Sequence, residues 1–255
     1  MTVKNNWNKY KLKDFMFFNP TEKLIKGFVG KKIDMEQLLP FTKKISSYKI
    51  TNFSSGSKFK NGDTLVARIT PCLENGKTAF VDILNDNEIG FGSTEYIVFR
   101  EKNNISDNNF IFYFAISKNF RDLAISLMSG TSGRQRVETN ALKESEFLFP
   151  PLPEQKKIAD ILGSFDDKVE LLQKQNKTLE DMAKAIFKSW FVDFDIVKAK
   201  ERKEKKSKIL NEYKITEEIY NLFPNSFEDS ELGKIPKGWE VKKLKNICNI
   251  SSGKR

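Results

Sequence analysis

Residues 153–194 read PEQKKIADILGSFDDKVELLQKQNKTLEDMAKAIFKSWFVDF, and this stretch decides the fold. Ile158, Phe165, Leu172, Leu179 and Ile186 recur at seven-residue spacing, and Ile161, Leu162, Val169, Met182, Ala183 and Trp190 fill neighbouring positions of the same face. Such a repeat specifies a long helix with one apolar stripe, the pattern of a coiled coil. Within the stretch no glycine follows Gly163 and no proline follows Pro153. Pro153 followed by Glu154 suits a first helical turn, where the missing N–H is not needed and a carboxylate meets the helix dipole. At 1.5 Å per residue, roughly 60 Å of helix is expected, against a diameter of about 30 Å for a domain of about 150 residues. Part of the stripe should therefore stand clear and require a partner. Gln175 and Asn176 interrupt it, polar positions that would set a partner's register.

Upstream, residues 1–152 have the pattern of one mixed α/β domain. Thr64–Thr70 follows Asn61-Gly62-Asp63, Thr78–Leu84 follows Asn75-Gly76, and Thr94–Arg100 follows Gly90-Phe91-Gly92, which is expected to be a hairpin turn. The three runs are β-branched and aromatic, as in half-buried strands. Asp107 is placed to cap a helix through Phe110, Phe112, Tyr113, Phe114 and Ile116, with more helix to about Met128. Phe147-Leu148-Phe149 then ends at Pro150-Pro151.

Downstream, residues 198–208 hold seven basic and two acidic side chains, and residues 198–235 are expected to form a basic linker. Trp239-Glu240-Val241-Lys242-Lys243-Leu244-Lys245-Asn246 repeats the pattern of Trp7-Asn8-Lys9-Tyr10-Lys11-Leu12-Lys13-Asp14. Residues 236–255 are thus expected to begin a second copy of the first domain, after the turn-rich Gly233–Gly238. The expected organisation is α+β: a mixed α/β domain over 1–152, a long coiled-coil helix over 153–197, the linker, and the remnant.

Composition narrows the chemistry. The chain has 255 residues, 39% hydrophobic and 31% charged, with 44 Lys+Arg against 34 Asp+Glu, net +10. That is a soluble globular balance whose charge favours a polyanionic partner. No run approaches the ~18 apolar residues needed to cross a membrane, and Met1–Trp7 has no apolar core of a signal peptide. Cytoplasm is the expectation, with no membrane partner. Cys72 and Cys248 cannot form a disulfide framework, and nothing near them has metal-ligand spacing. The absence of histidine excludes His-based acid–base catalysis, His-containing triads and His-ligated metals. No phosphate-binding G-x-x-x-x-G-K-[ST] loop occurs, and Asn19-Pro20-Thr21-Glu22 fails as a methyltransferase motif. No catalytic residue, cofactor or metal is expected.

Candidate contacts to a polyanionic partner such as DNA centre on the loop Ser129–Arg136. Ser132, Arg134, Gln135 and Arg136 stand together there, and Arg can bond guanine, and Gln adenine, through paired hydrogen bonds. The competing reading is a surface turn whose arginines pair with carboxylates. Arg68 lies within an expected strand, either facing DNA or buried in an ion pair. Lys58, Lys60 and Lys77 lie near turns and suit phosphate contact.

Several motifs in order resemble the specificity subunit of type I restriction–modification systems. They are Gly62-Asp63 with Leu65-Val66-Ala67-Arg68, Gly92-Ser93-Thr94-Glu95-Tyr96, the loop Ser129–Val137, Pro150-Pro151-Leu152-Pro153-Glu154-Gln155 with Ile158-Ala159, Phe187–Phe194, and Ser230–Trp239. The resemblance implies a non-catalytic subunit with two recognition domains, each reading half of a bipartite site in double-stranded DNA. It implies two long helices packed antiparallel, methyltransferase subunits as partners, and a restriction (nuclease–translocase) subunit as a further one. One recognition domain, one helix and a remnant imply a half-length or truncated form. A second copy is then the expected source of the partner helix, through Ile158, Phe165, Leu172, Leu179, Ile186 and Trp190. The rival is a coiled-coil regulatory protein that binds the methyltransferase without reading DNA.

Overall fold

A computed structural model describes residues 6–131 and 133–249. It falls into two units, Met1–Val169 and Glu170–Arg255. The first runs β1 (Asn8–Lys11), α1 (Leu12–Phe15), β2 (Met16–Phe18), β3 (Val29–Ile33), β4 (Lys49–Asn52), β5 (Lys58–Phe59), β6 (Thr64–Ala67), β7 (Thr78–Phe80), β8 (Gly90–Gly92) and β9 (Tyr96–Glu101). It continues with α2 (Asn108–Ile116), α3 (Lys118–Ser126), β10 (Met128–Ser129), β11 (Arg136–Val137), α4 (Thr139–Glu144) and β12 (Glu146–Phe149). The long helix α5 (Leu152–Phe187) follows and crosses the boundary between the units.

Two four-stranded sheets form the centre, in the orders β2-β9-β6-β7 and β4-β3-β8-β5. The first is antiparallel throughout, and β3 with β8 is the parallel pair of the second. Strands β6 and β9 alternate between two cores. Val66, Ile97 and Phe99 enter one with Phe15, Phe110, Phe112, Phe114, Phe120 and Phe149, while Leu65, Tyr96 and Val98 enter the other with Ile33, Phe59 and Leu84. Burial on both faces explains why these runs are continuously apolar. The strands are shorter than their apolar runs, because the chain leaves the ladder at Arg68 and again after Phe80.

Gly90-Phe91-Gly92 is a correction: it is the buried strand β8, not a hairpin turn. It lies between β3 and β5, where a Cβ on Gly92 would sit 2.1 Å from the Ile33 carbonyl oxygen. Glycine here permits close backbone approach rather than a turn. Asp107 caps α2 as its position indicated, accepting from the Phe110 N–H at 2.9 Å. The ends of the domain meet, since β1 pairs antiparallel with β12, Asn8 opposite Phe149. Beneath them the Phe15 and Phe149 rings stack at 3.6 Å.

Helix α5 is fixed at its start by Gln155, which is 1% exposed. Its Oε1 accepts from the Asp107 N–H at 3.0 Å, and its Nε2 donates to the Ile105 and Pro150 carbonyls at 2.9 Å each. Three turns on, Asp166 accepts a hydrogen bond of 2.7 Å from the Tyr113 hydroxyl. Ala159 is buried and Ile158 packs on the aromatic core. Phe165, Leu172, Leu179 and Ile186 are 63, 45, 62 and 46% exposed.

The second unit contains, after α5, a π-helical turn at Lys188–Val192, then α6 (Asp195–Glu201), α7 (Lys206–Tyr213), α8 (Glu217–Leu222) and a hairpin of β13 (Phe227–Ser230) and β14 (Gly233–Pro236). Residues 198–235 are therefore a folded element and not a linker. Ile196, Val197, Ala199, Ile209, Ile215 and Phe223 form its core, with Trp190 packed against it. The charge run masked this pattern because its cations point outward, apart from Lys200. That ammonium lies under the C-terminal end of α8, donating to the carbonyls of Tyr220 at 2.8 Å and of Phe223. The offset of the internal repeat carries Leu12 onto Leu244, and each opens a short helical turn. Residues 250–255, the end of the expected remnant, lie outside the described residues.

Replacing Gln155 strands three backbone groups at once. Gln155→Ala should lower the urea-unfolding free energy by about 2–3 kcal/mol. Glu154→Ala, which removes the partly buried Trp7 Nε1–Glu154 bond of 3.2 Å and the carboxylate of the first helical turn, should cost less, about 1 kcal/mol.

Candidate nucleic-acid interface

Three motifs far apart in sequence meet at one place. The backbone N–H of Arg68 donates to the Glu95 carbonyl at 2.9 Å, and the Arg68 carbonyl accepts from the Val137 N–H at 2.9 Å. Arg68 thus ties Gly62–Arg68 to Gly92–Tyr96 and to the loop after Ser129. Ile69 bridges Arg136, and the Thr70 N–H donates to the Gln135 carbonyl at 3.0 Å. The loop is closed by the two-residue ladder of β10 and β11, Ser129 opposite Arg136.

Side-chain chemistry sorts the candidates. Arg136 grips the Glu95 carboxylate from Nε at 3.0 Å and from the neighbouring terminal nitrogen at 2.7 Å. Its hydrogen bond and charge, joined by the charge of Arg68, hold the Glu95 carboxyl below the usual range. Arg136 is thereby a strut of the loop, while Arg134 is exposed and Gln135 half-buried. Arg68 is half-buried, and its Nε has no hydrogen-bond partner among the described residues. Ser132 lies outside the described residues.

The three lysines are occupied. Lys58 Nζ donates to the Glu22 carbonyl at 2.9 Å, and Lys60 Nζ pairs with the Glu22 carboxylate at 2.9 Å. Lys77 Nζ donates to the Met35 carbonyl at 2.8 Å. Behind the first two lies a cluster that sequence reasoning missed. Arg100 bonds both Asp63 oxygens at 2.6 and 2.7 Å and Glu22 at 2.6 Å. The aspartate of the Gly62-Asp63 motif, 1% exposed, is thus a buried anchor. A second missed residue is Arg121 on α3, which donates to the Glu74 carbonyl at 2.8 Å and lies 4.7 Å from the centre of the Phe41 ring. Only the basic character of Arg121 was visible in the sequence.

Among the described residues no group of three or more His, Cys, Asp or Glu side chains could hold a metal ion. No helix among them is long and apolar enough to cross a membrane. The chemistry on offer is a cationic, hydrogen-bonding surface around Arg68, Arg134, Gln135 and Arg121.

Comparison with known proteins matches the chain to a family. The profile of the type I restriction modification DNA specificity domain matches residues 4–181. The HindI specificity subunit of Haemophilus influenzae, a type I restriction enzyme component, is 30% identical over 243 residues, 82% of this chain and 52% of that protein. The MjaIX specificity subunit of Methanocaldococcus jannaschii is 35% identical over 147 residues, 57% of this chain and 28% of that protein. The chain thus spans about half the length, or less, of these relatives. The fold is similar to that of a chain from a type I restriction–modification assembly, with a TM-score of 0.55 at 20% identity over 76% of this chain and 50% of the other. It is also similar to the HsdS subunit of Thermoanaerobacter tengcongensis, with a TM-score of 0.50 at 20% identity, covering 79% and 50%.

The cluster that holds Lys58 and Lys60 has a pH signature. Burial pushes the Glu22 carboxyl up, but hydrogen bonds and charge from Arg100 and Lys60 outweigh it and hold it below its ordinary 4.5. A carboxyl depressed by folding contributes stability that is present above the unfolded pKa and lost as pH falls through the folded one. Wild-type stability should therefore fall below pH 4.5 more steeply than that of Glu22→Gln. Urea titrations of both proteins over this acid range measure the difference.

Proposed function

The chain belongs to the type I restriction–modification DNA specificity family, and from that membership we propose that it reads one half of a bipartite site in double-stranded DNA. It directs methyltransferase subunits to that site, joined in some assemblies by a restriction subunit, and performs no chemistry itself. It acts in the cytoplasm, where its DNA target lies. The observation that carries this reading is the convergence of three motifs at Arg68, Glu95 and Arg136, which presents Arg134 and Gln135 on a braced loop. A methyltransferase regulator that ignores DNA has no use for that loop. Lys58, Lys60 and Lys77 act first as internal struts, and Arg134 and Gln135 carry base contact. Residues 1–153 carry 22 basic against 16 acidic side chains, and this surplus makes phosphate attraction the larger part of binding, so affinity should drop steeply between about 50 and about 200 mM salt.

Partner pairing follows from α5. A two-fold axis beside Gln175 and Asn176 sets Leu172 of one copy across from Leu179 of the other, Val169 across from Met182, and Phe165 across from Ile186. All six side chains are exposed within one chain. Each Leu, Ile or Phe buried contributes about 1.5–3 kcal/mol, enough together to offset much of the entropy lost on association. We assign the partner helix to a second copy, antiparallel. Ile158 and Trp190 serve their own chain's cores instead. Two identical readers about a two-fold axis specify a gapped inverted repeat.

Two measurements test the reading. Methylome sequencing of cells carrying the chain and its methyltransferase should show a gapped palindrome that is absent without the chain. The Arg134→Ala, Gln135→Ala double variant should alter or abolish it, while Lys203→Ala leaves it intact. Unchanged methylation in the double variant rejects the loop as reader, and an asymmetric site with no other specificity protein present rejects the homodimer. In light scattering the wild-type chain should be a dimer, and the Leu172→Asp, Leu179→Asp variant a folded monomer that no longer supports methylation. A monomeric wild type rejects the pairing.

A further inference from the structure

Phe41 is an aromatic residue held where an aromatic is costly. Its φ of 54° lies in the left-handed region, which β-carbon sterics disfavour for every residue but glycine and, locally, Asn or Asp. Its side chain is nevertheless 62% exposed, so the conformation is not repaid by burial. The ring is held in place from two sides. Its backbone N–H donates to the Gly76 carbonyl at 3.0 Å, and Pro40 bridges Lys77. The ring lies over Gly76 itself, where a Cβ would fall 2.5 Å from its edge. The guanidinium of Arg121 sits 4.7 Å from the ring centre.

Phe41 also stands beside the candidate interface. Gly76 and Lys77 end the turn that starts at Ile69, and Ile69 and Thr70 hold Arg136 and Gln135 at its other end. Arg121 touches the same turn through the Glu74 carbonyl. It has no carboxylate partner among the described residues, and its Nε is buried without a hydrogen-bond partner. One short turn therefore carries the reading loop at one end and an exposed, strained Phe–Arg pair at the other. Strain of this kind is retained where a site uses it.

We propose that Phe41 is a wedge that enters a base step of the duplex, while Arg121 braces the ring and meets the adjoining phosphate. In proteins that bind the minor groove, apolar side chains such as Phe are inserted between base steps, partly unstacking them and kinking the duplex. Sequence preference would then arise at a step read by deformability, next to the bases read by Arg134 and Gln135. The proposal rests on the DNA-reading function above and adds a second contact to it.

The chain purified with its methyltransferase is tested on a duplex carrying the sequence that the wild-type complex methylates. Phe41→Gly and Phe41→Asn both accept the left-handed backbone, so they should melt at or above the wild-type temperature. Both should bind the duplex about tenfold or more weakly at every salt concentration, with an unchanged slope of log affinity against log salt, because no phosphate contact is lost. Phe41→Trp should retain binding. Arg121→Gln should reduce the salt slope by about one. Wild-type affinity in both Phe41→Gly and Phe41→Asn overturns the wedge while leaving the DNA-reading function intact. A weakening seen only together with a lowered melting temperature assigns Phe41 to structure and also overturns it. If the wild-type complex binds no duplex at all, the functional reading and the wedge fall together.

Discussion

The first unit is organised around the amide of Gln155. In one buried side chain it satisfies an N–H in the turn before α2, a carbonyl in the same turn, and the carbonyl that ends β12. An amide suits this place because it offers donors and an acceptor without charge, whereas a carboxylate would face two carbonyl oxygens. The aromatic core closes over the same point, with Phe110 of α2 and Phe149 of β12 edge-to-face at 6.3 Å. The helix start, the capped helix and the closing strand are thereby one object. The short motif Pro150–Gln155 consequently marks a structural junction.

Charge is used in the domain mainly as scaffold. Residues 1–153 carry 22 basic and 16 acidic side chains, and several of the cations near the interface are spoken for. Lys60 and Arg100 answer to Glu22, Arg100 again to Asp63, and Arg136 to Glu95. Each pair is at least partly shielded, with side-chain exposures of 8% for Glu22 and 1% for Asp63. Removing one member would leave an uncompensated charge, so these groups are poorly placed to be traded for phosphate. Exposed cations without such a partner can be traded at little cost.

Periodicity and turn chemistry made much of this visible in the sequence. The heptad stripe, the Asp107 cap and the three apolar runs each depend on local physics, and the structure has α5, the capped α2 and strands within those runs. Pairings of high sequence separation were not visible. Nothing in Lys9 announces Leu148 as its partner across β1 and β12, nor does Arg136 announce Glu95. Gly90-Phe91-Gly92 misled because glycine signals either a turn or a close approach, and only tertiary packing separates the two. The stretch 198–235 misled for another reason. Its apolar residues are sparse, and a core of six buried side chains is easily hidden by lysines that share its helices.

Two anchors give α5 a direction as well as an origin. Gln155 holds its first turn, and Asp166, eleven residues later, is held by the Tyr113 hydroxyl. Tyr113 is itself steadied by Lys43, whose ammonium donates to Asn109 at 2.8 Å and lies within 5.0–5.7 Å of the ring centres of Phe80, Phe112 and Tyr113. At 1.5 Å per residue the anchors are about 16 Å apart, while the 36-residue helix is about 54 Å long. Had Gln155 been the sole anchor, the origin of the helix would be fixed but not its direction. With the second anchor that direction is set on the first unit by one hydrogen bond between a tyrosine and an aspartate.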